Sequence, residues 1–165
     1  MRFRIEQRFG LPLETVEDTL CDPAFIEHMA ALPKLGQPRL LAHKVDGDRV
    51  DQQVRYAFVG DLSSAVRRVV DPAKLTWIED SSTDRSTHRA TFKILPDHYA
   101  GLLRCSGTFA LTARPDGTSR IAEGDMVVSV PLVGSKVERA IVSGLEEHAR
   151  EEASLVETWA AEPRD

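Results

Sequence analysis

Four polar side chains stand at positions that share a strand face with large apolar residues: Gln7, Gln52, Tyr56 and His88. Burying an amide or an imidazole without a partner costs a few kcal/mol, so each needs a backbone group, a water or a ligand. Structural hydrogen bonds could satisfy them, or they could orient a molecule held in an apolar pocket. We predict His88 and Gln52 as the first polar ligand contacts. A proton relay in an enzyme would use His88 and Tyr56.

The sequence holds no recognisable catalytic or metal-binding motif. No two of the 5 histidines have the spacing of a helical metal pair, and no nucleophile elbow, dinucleotide fingerprint or phosphate loop is present. Cys21 and Cys105 are too few for a disulfide framework or a thiolate cluster. Cys105 lies on the apolar face of a predicted strand, as a small buried hydrophobe would. We therefore predict no metal ion, no cofactor and no catalytic residue.

Composition narrows the class of partner. The 165 residues include 26 acidic and 21 basic side chains, a formal net charge of -5, which disfavours binding to nucleic acid and to anionic membranes. No apolar run approaches the ~20 residues that span a bilayer, and residues 1–6 alternate in charge, unlike a signal peptide. We expect one domain over residues 1–165, reduced and cytoplasmic, with no nucleic-acid partner and no membrane insertion. The sequence does not specify an oligomeric state.

The elements that must position these residues follow an uncommon order. Residues 2–9 alternate as a half-buried strand, and a short helix is predicted over 13–20. A second short helix begins at Asp22-Pro23, where the carboxylate can cap free amides and proline suits the first turn. Strands then follow in series, and glycines 107 and 124 are predicted to permit bulges and curvature. The predicted strands cover 39–45, 49–59, 62–70, 75–80, 88–94, 104–113 and 120–130, with turns or loops at 46–48, 81–86, 96–101 and 115–117.

One long amphipathic helix is predicted after the last strand. It would run from 132 to 160, roughly 43 Å at 1.5 Å per residue, and could begin either at Pro131 or with a Ser135–Glu138 capping box. Its stripe is apolar except for Glu152. Such a helix is the only element large enough to cover one face of an antiparallel sheet. The fold class is therefore α+β: a curved sheet of about seven strands gripping one C-terminal helix, with two short N-terminal helices. The stripe comprises Val137, Ile141, Leu145, Ala149, Glu152, Val156 and Trp159.

This order, together with Asp22-Pro23 and the Val-Pro-Leu-Val-Gly-Ser-Lys-Val-Glu stretch at 130–138, resembles the START-like helix-grip superfamily, in an uncharacterised bacterial branch. The resemblance implies a deep cavity between the sheet and the long helix that holds a lipid, a polyketide or a similar apolar molecule. We predict that the apolar lining comprises Tyr56, Phe58, Trp77, Phe92, Cys105, Phe109, Val137, Ile141 and Leu145.

Two alternatives remain open at the level of sequence. One is an enzyme that resembles a polyketide cyclase or dehydratase, with the proton relay inside the cavity. The other is an interaction protein whose interior is filled by side chains and whose surface carries the function. Periodicity cannot distinguish a lined cavity from a filled core.

Overall fold

The computed structural model describes residues 1–29, 35–59, 64–68 and 70–162, and its regular elements account for most of them. The helices are α1 (Leu13–Cys21), α2 (Pro23–His28), α3 (Ser64–Arg67) and α4 (Gly134–Ala161), and a short 3-10 turn covers Pro72–Lys74. The strands are β1 (Arg2–Phe9), β2 (Leu35–Asp46), β3 (Arg49–Phe58), β4 (Thr76–Asp84), β5 (Arg89–Pro96), β6 (Leu103–Arg114) and β7 (Gly117–Val128).

The strands form a single antiparallel sheet in the order β1-β7-β6-β5-β4-β3-β2. Consecutive strands from β2 to β7 are neighbours, and β1 completes the sheet by pairing with β7. Helix α4 crosses this sheet and contacts β1 and β7. The predicted α+β helix-grip architecture is confirmed.

The N-terminal third forms because its local signals agree with its packing. Strand β1 buries Phe3, Gln7 and Phe9 and half-buries Ile5 on one face, and its other face is exposed. The Asp22 carboxylate accepts a hydrogen bond from the Ala24 amide at 2.9 Å, and Pro23 occupies the first helical position, so α2 starts as predicted.

The structure corrects two predictions in the middle of the chain. Residues 81–84, predicted as a turn, extend β4, because Ser81 and Thr83 pair with Gln52 and Val50 of β3 while the turn falls at 85–88. His88 therefore lies in that turn, with a φ of 56°, and not in a strand. The second correction concerns residues 62–70, where the structure has helix α3 and no strand over the residues that it describes. The apolar positions of that segment are also compatible with helical spacing.

The glycines of β6 and β7 permit a close approach and not a bulge. Gly107 and Gly124 face each other in a continuous register. A Cβ on Gly107 would lie 2.1 Å from the carbonyl oxygen of Glu123, and one on Gly124 would lie 2.7 Å from Cζ of Phe3. The Phe3 ring therefore packs directly over the sheet where side chains are absent.

Helix α4 begins at Gly134, three residues after Pro131, and neither of the two predicted N-terminal signals starts it. Val133 occupies the N-cap position without a side-chain hydrogen bond. Glu138, predicted as the partner of Ser135 in a capping box, instead accepts a hydrogen bond from the Val128 amide at 2.9 Å. This contact fixes the start of the helix to the end of β7.

Candidate functional site

An apolar cavity lies between the curved sheet and α4. Its volume is about 140 Å³. Every apolar residue predicted as lining borders it: Tyr56, Phe58, Trp77, Phe92, Cys105, Phe109, Val137, Ile141 and Leu145. The loop between β5 and β6 contributes His98, Tyr99 and Leu102 to the border, and the Tyr99 hydroxyl accepts a hydrogen bond from the Asp71 amide at 3.1 Å.

The apolar wall is continuous with the protein core. Phe92 and Cys105 belong to a buried cluster against which Ile141 and Leu145 of α4 pack. The Phe92 and Phe109 ring centroids are 4.7 Å apart. An apolar ligand in this space would therefore contact aromatic and aliphatic carbon over most of its surface.

A polar cluster interrupts the apolar wall where β1, β7 and α4 meet. Gln7 Nε2 donates to the Ala149 carbonyl at 2.7 Å and to Glu152 Oε2 at 2.8 Å. Arg120 Nη1 donates to Gln7 Oε1 at 3.0 Å and to Glu152 Oε2 at 2.9 Å. The Arg120 guanidinium also lies 4.0 Å above the centre of the Phe109 ring. The one acidic residue in the helix stripe is thus an ion-pair partner of a strand arginine.

The surroundings of Glu152 keep its carboxylate charged. Burial alone would raise its pKa, but the charge of Arg120 and the hydrogen bonds from Gln7 and Arg120 outweigh burial and leave the pKa below 4.5. The pair is therefore ionised on both sides at neutral pH, and each charge neutralises the other.

Glu79 differs from the paired Arg120 and Glu152. It lies on β4 and borders the cavity, and no hydrogen bond or ion pair reaches its carboxylate from the part of the chain that the structure describes. Burial, with a smaller contribution from the charge of Glu152, raises its pKa from 4.5 to about 7 although Arg120 opposes the shift. Protein atoms have displaced most of the bulk water that would stabilise its charge.

Two aromatic groups and a histidine surround the same region. The Tyr56 and Trp77 rings are stacked with centroids 6.1 Å apart, and the His148 ring lies 6.3 Å from Tyr56, edge to face. Burial, and then the charge of Glu79, raises the pKa of Tyr56 well above 10, so its hydroxyl stays protonated. Burial lowers the pKa of His148, and its Nδ1 has no hydrogen-bond partner among the described residues.

The two polar contacts predicted from the sequence, Gln52 and His88, lie elsewhere. They border a smaller cavity of about 70 Å³ beneath α1 and α2 and do not border the larger one. His88 Nδ1 is 3.1 Å from Glu17 Oε2, and Gln52 Nε2 is 3.4 Å from the Cys21 carbonyl oxygen. Both side chains thus have protein partners. The two cavities share part of their lining, namely Tyr56, Glu79, Phe109, Arg120 and Glu152.

The remaining reactive groups show no sign of activation. Burial, assisted by the charge of Glu79, raises the pKa of the Cys105 thiol to about 12, so its nucleophilic thiolate is scarce at neutral pH. No cluster of His, Cys, Asp and Glu able to hold a metal ion occurs among the residues with described positions. Among the helices described, none is long and apolar enough to cross a membrane.

Sequence reasoning missed Glu79, Arg120 and His148. A signal for the first two existed, because Glu79 follows Trp77 by two residues and Arg120 precedes Ala122 by two, which places each on the inward face of its strand. His148 lies three residues after Leu145 on α4, a spacing that places both on one helix face.

Comparison with known proteins finds one matching family and several solved structures of similar fold. A family model described as "Protein of unknown function (DUF2505)" matches residues 4–160, and no curated protein sequence matches the chain. The protein TTHA0849 from Thermus thermophilus is similar in structure, with 17% identity, coverage of 97% of each chain and a TM-score of 0.67. The ZhuI aromatase/cyclase from Streptomyces sp. R1128 is similar in structure, with 14% identity and a TM-score of 0.64. The match covers 97% of this chain and 93% of the ZhuI chain.

Norcoclaurine synthase from Thalictrum flavum is similar too, with 14% identity and a TM-score of 0.66, and the match covers 99% of this chain and 87% of the synthase. These proteins share the START-like helix-grip fold, and the resemblance seen in the sequence is confirmed at the level of fold.

Proposed function

The chain belongs to the DUF2505 family, and we propose that it binds, and could transport, a hydrophobic small molecule such as a lipid or polyketide in the cavity between its sheet and α4. The observation that carries this proposal is the apolar space of about 140 Å³ with a polar cluster at one side. The side chains whose positions are described leave this space open, which supports binding over the alternative of an interaction protein with a closed core.

Binding would be driven by the removal of apolar surface from water. Each Å² of apolar surface buried contributes roughly 25 cal/mol, and ring faces and aliphatic side chains supply the contacts. The polar groups around Glu79 and Arg120 would fix which end of the ligand enters first, because an unmatched polar group in this region costs free energy. The nine apolar residues predicted from the sequence remain the proposed lining, whereas Gln52 and His88 are proposed only for the smaller cavity.

One observation favours a second function, acid–base catalysis of the cyclase or dehydratase type. A carboxyl group with a pKa of about 7 can both donate and accept a proton at neutral pH, and Glu79 faces the cavity. Glu79 is therefore a better proton carrier for such a reaction than His88, which is bonded to Glu17 in the smaller cavity. ZhuI is named as an aromatase/cyclase, and norcoclaurine synthase as a synthase, so this fold supports chemistry in those proteins.

A cavity-filling variant tests binding. Leu145→Trp would place an indole in the cavity, and Val45→Trp would add the same group on an exposed position of β2, where Val45 is 59% exposed. Fluorescence titration with N-phenyl-1-naphthylamine, an uncharged apolar probe, should give saturable binding to the unmodified protein and to Val45→Trp. The Leu145→Trp protein should bind at least about tenfold more weakly.

The same titration can reject the proposal. Equal affinity of all three proteins would place the probe outside the cavity, and absence of saturable binding to the unmodified protein would remove the proposed function. Circular dichroism of both variants establishes that the fold is retained.

A further inference from the structure

We propose that the molecule held in the larger cavity carries a basic amine, and that Glu79 binds its ammonium group together with the ring faces of Tyr56 and Trp77. This inference rests on the proposed function and adds the chemical class of the ligand. It follows from a charge balance, from the placement of aromatic rings and from the absence of a partner for the Glu79 carboxylate among the described residues.

The charges at the polar cluster leave one negative group uncompensated. Arg120 and Glu152 form an ion pair at 2.9 Å and neutralise each other. His148 supplies no second positive charge, because burial lowers its pKa and favours the neutral imidazole. Lys74 borders the cavity from an exposed turn at its rim, and no ion pair joins it to Glu79. Glu79 thus lacks a cation of its own among the residues that the structure describes, and a ligand with one positive charge would supply it.

Aromatic faces lie beside the carboxylate. On β4, Trp77 precedes Glu79 by two residues and therefore lies on the same face, and Tyr56 of β3 is its cross-strand partner. The stacked Tyr56 and Trp77 rings both border the cavity. Ring faces attract cations, most strongly for tryptophan and most effectively where water is excluded. The Phe109 ring already binds the Arg120 guanidinium in this way at 4.0 Å.

Other head groups suit this region less well. A carboxylate or phosphate would bring a further negative charge beside Glu79 and Glu152, and Arg120, the arginine in position to receive it, is already paired. A hydroxyl could donate one hydrogen bond to the ionised Glu79 carboxylate but would leave its charge unbalanced, and a ketone, which has no donor, would require Glu79 to be protonated. An ammonium group satisfies the charge, the hydrogen-bonding capacity of the two carboxylate oxygens and the ring faces together.

Ligand binding should therefore depend on pH in a defined direction. The groups that face Glu79 are Arg120 of β7, Glu152 and His148 of α4, Tyr56 of β3 and Cys105 of β6. Glu79 itself has a pKa of about 7. Because the ammonium binds to the ionised carboxylate, affinity for an amine should rise about tenfold between pH 6 and pH 8.

Two probes of the same shape test the inference. 1-Naphthylmethylamine is protonated at pH 8, and 1-naphthalenemethanol carries a hydroxyl in place of the amine. Isothermal titration calorimetry should show that the unmodified protein prefers the amine by about tenfold or more at pH 8. Glu79→Gln should lose that preference and its pH dependence while it still binds the alcohol. Glu123→Gln, which removes the same charge from a side chain that is 60% exposed, should behave like the unmodified protein.

The outcomes separate this inference from the proposed function. Equal affinity for amine and alcohol, or a preference that survives in Glu79→Gln, would overturn the amine assignment and leave binding of an apolar molecule in place. Failure of both probes to bind at millimolar concentration would overturn the two proposals together. Retained binding of the alcohol by Glu79→Gln serves as the internal control for folding.

Discussion

Glu79 should make the protein less stable as the pH rises, and replacing it by glutamine should remove that effect. The carboxyl group has a pKa of about 7 in the folded protein and an ordinary value of 4.5. Between these values the folded state binds more protons than the unfolded state, so the free energy of unfolding falls with rising pH. Glutamine has nearly the same shape and cannot ionise. Glu79→Gln should therefore be more stable than the unmodified protein at neutral and alkaline pH.

The size of the effect follows from the two pKa values. A tenfold change in an equilibrium constant is worth about 1.4 kcal/mol, so the interval from 4.5 to about 7 amounts to about 3 kcal/mol. Near pH 4.5 the group is largely protonated in the folded state and half protonated in the unfolded state, and the variant and the unmodified protein should differ little. The difference should grow between pH 4.5 and 7 and then level off.

Urea denaturation measures this difference directly. Tryptophan fluorescence reports unfolding because Trp77 borders the cavity and Trp159 packs on the core cluster of α1 and α2. The free energies of unfolding of both proteins would be compared from pH 4.5 to pH 8.5, with Glu123→Gln as the control for net charge. A difference that is the same at every pH, or a Glu79→Gln protein that is less stable at pH 8, would refute the assignment of Glu79 as a half-buried, unpaired carboxyl.

Three further predictions concern packing and reactivity. Arg120→Met should destabilise the protein by about 3–5 kcal/mol because it leaves the buried Glu152 charge unpaired. Arg4→Met removes one side of an ion pair that is exposed on both sides, and it should cost under about 1 kcal/mol in the same urea assay. Gly107→Ala should lower the free energy of unfolding by about 1–3 kcal/mol because its Cβ would collide with the Glu123 carbonyl. Gly101→Ala has open space around it and should change the stability little; an equal loss of stability in both variants would contradict the close approach at Gly107. Cys105 should resist iodoacetamide at pH 8 until urea unfolds the protein, because its thiol has a pKa of about 12; rapid modification of the folded protein would contradict this.

The fold could be predicted because the spacing of apolar residues along each strand and helix reflects which side of that element is buried in the folded protein. The alternation from Arg2 to Phe9 corresponds to β1 without a change of bounds, and the helix predicted over 132–160 corresponds to α4. Errors occurred where one pattern fits two structures. Residues 81–84 are polar enough for a turn, but they form a strand because their backbone pairs with β3. The pattern of the segment around α3 is compatible with strand and helix alike.

The candidate site was harder to predict, because its chemistry depends on contacts between distant residues. Glu152 appeared only as a break in an apolar stripe, and its ion pair with Arg120 joins residues 32 positions apart. The importance of Glu79 comes from the absence of a partner among the described residues, which no local pattern can show. The apolar lining, in contrast, depends on strand alternation and helical spacing, and the structure places all of it around one cavity.

A crystal structure of the protein soaked with 1-bromonaphthalene tests the central claim most directly, since anomalous scattering locates the bromine without bias. We predict a bromine peak between α4 and the sheet, within contact distance of Phe92, Cys105 and Ile141, and its loss in Leu145→Trp. Bromine peaks confined to the outer surface, or an interior in which side chains close the space beneath α4, would contradict the claim that this protein holds an apolar molecule there.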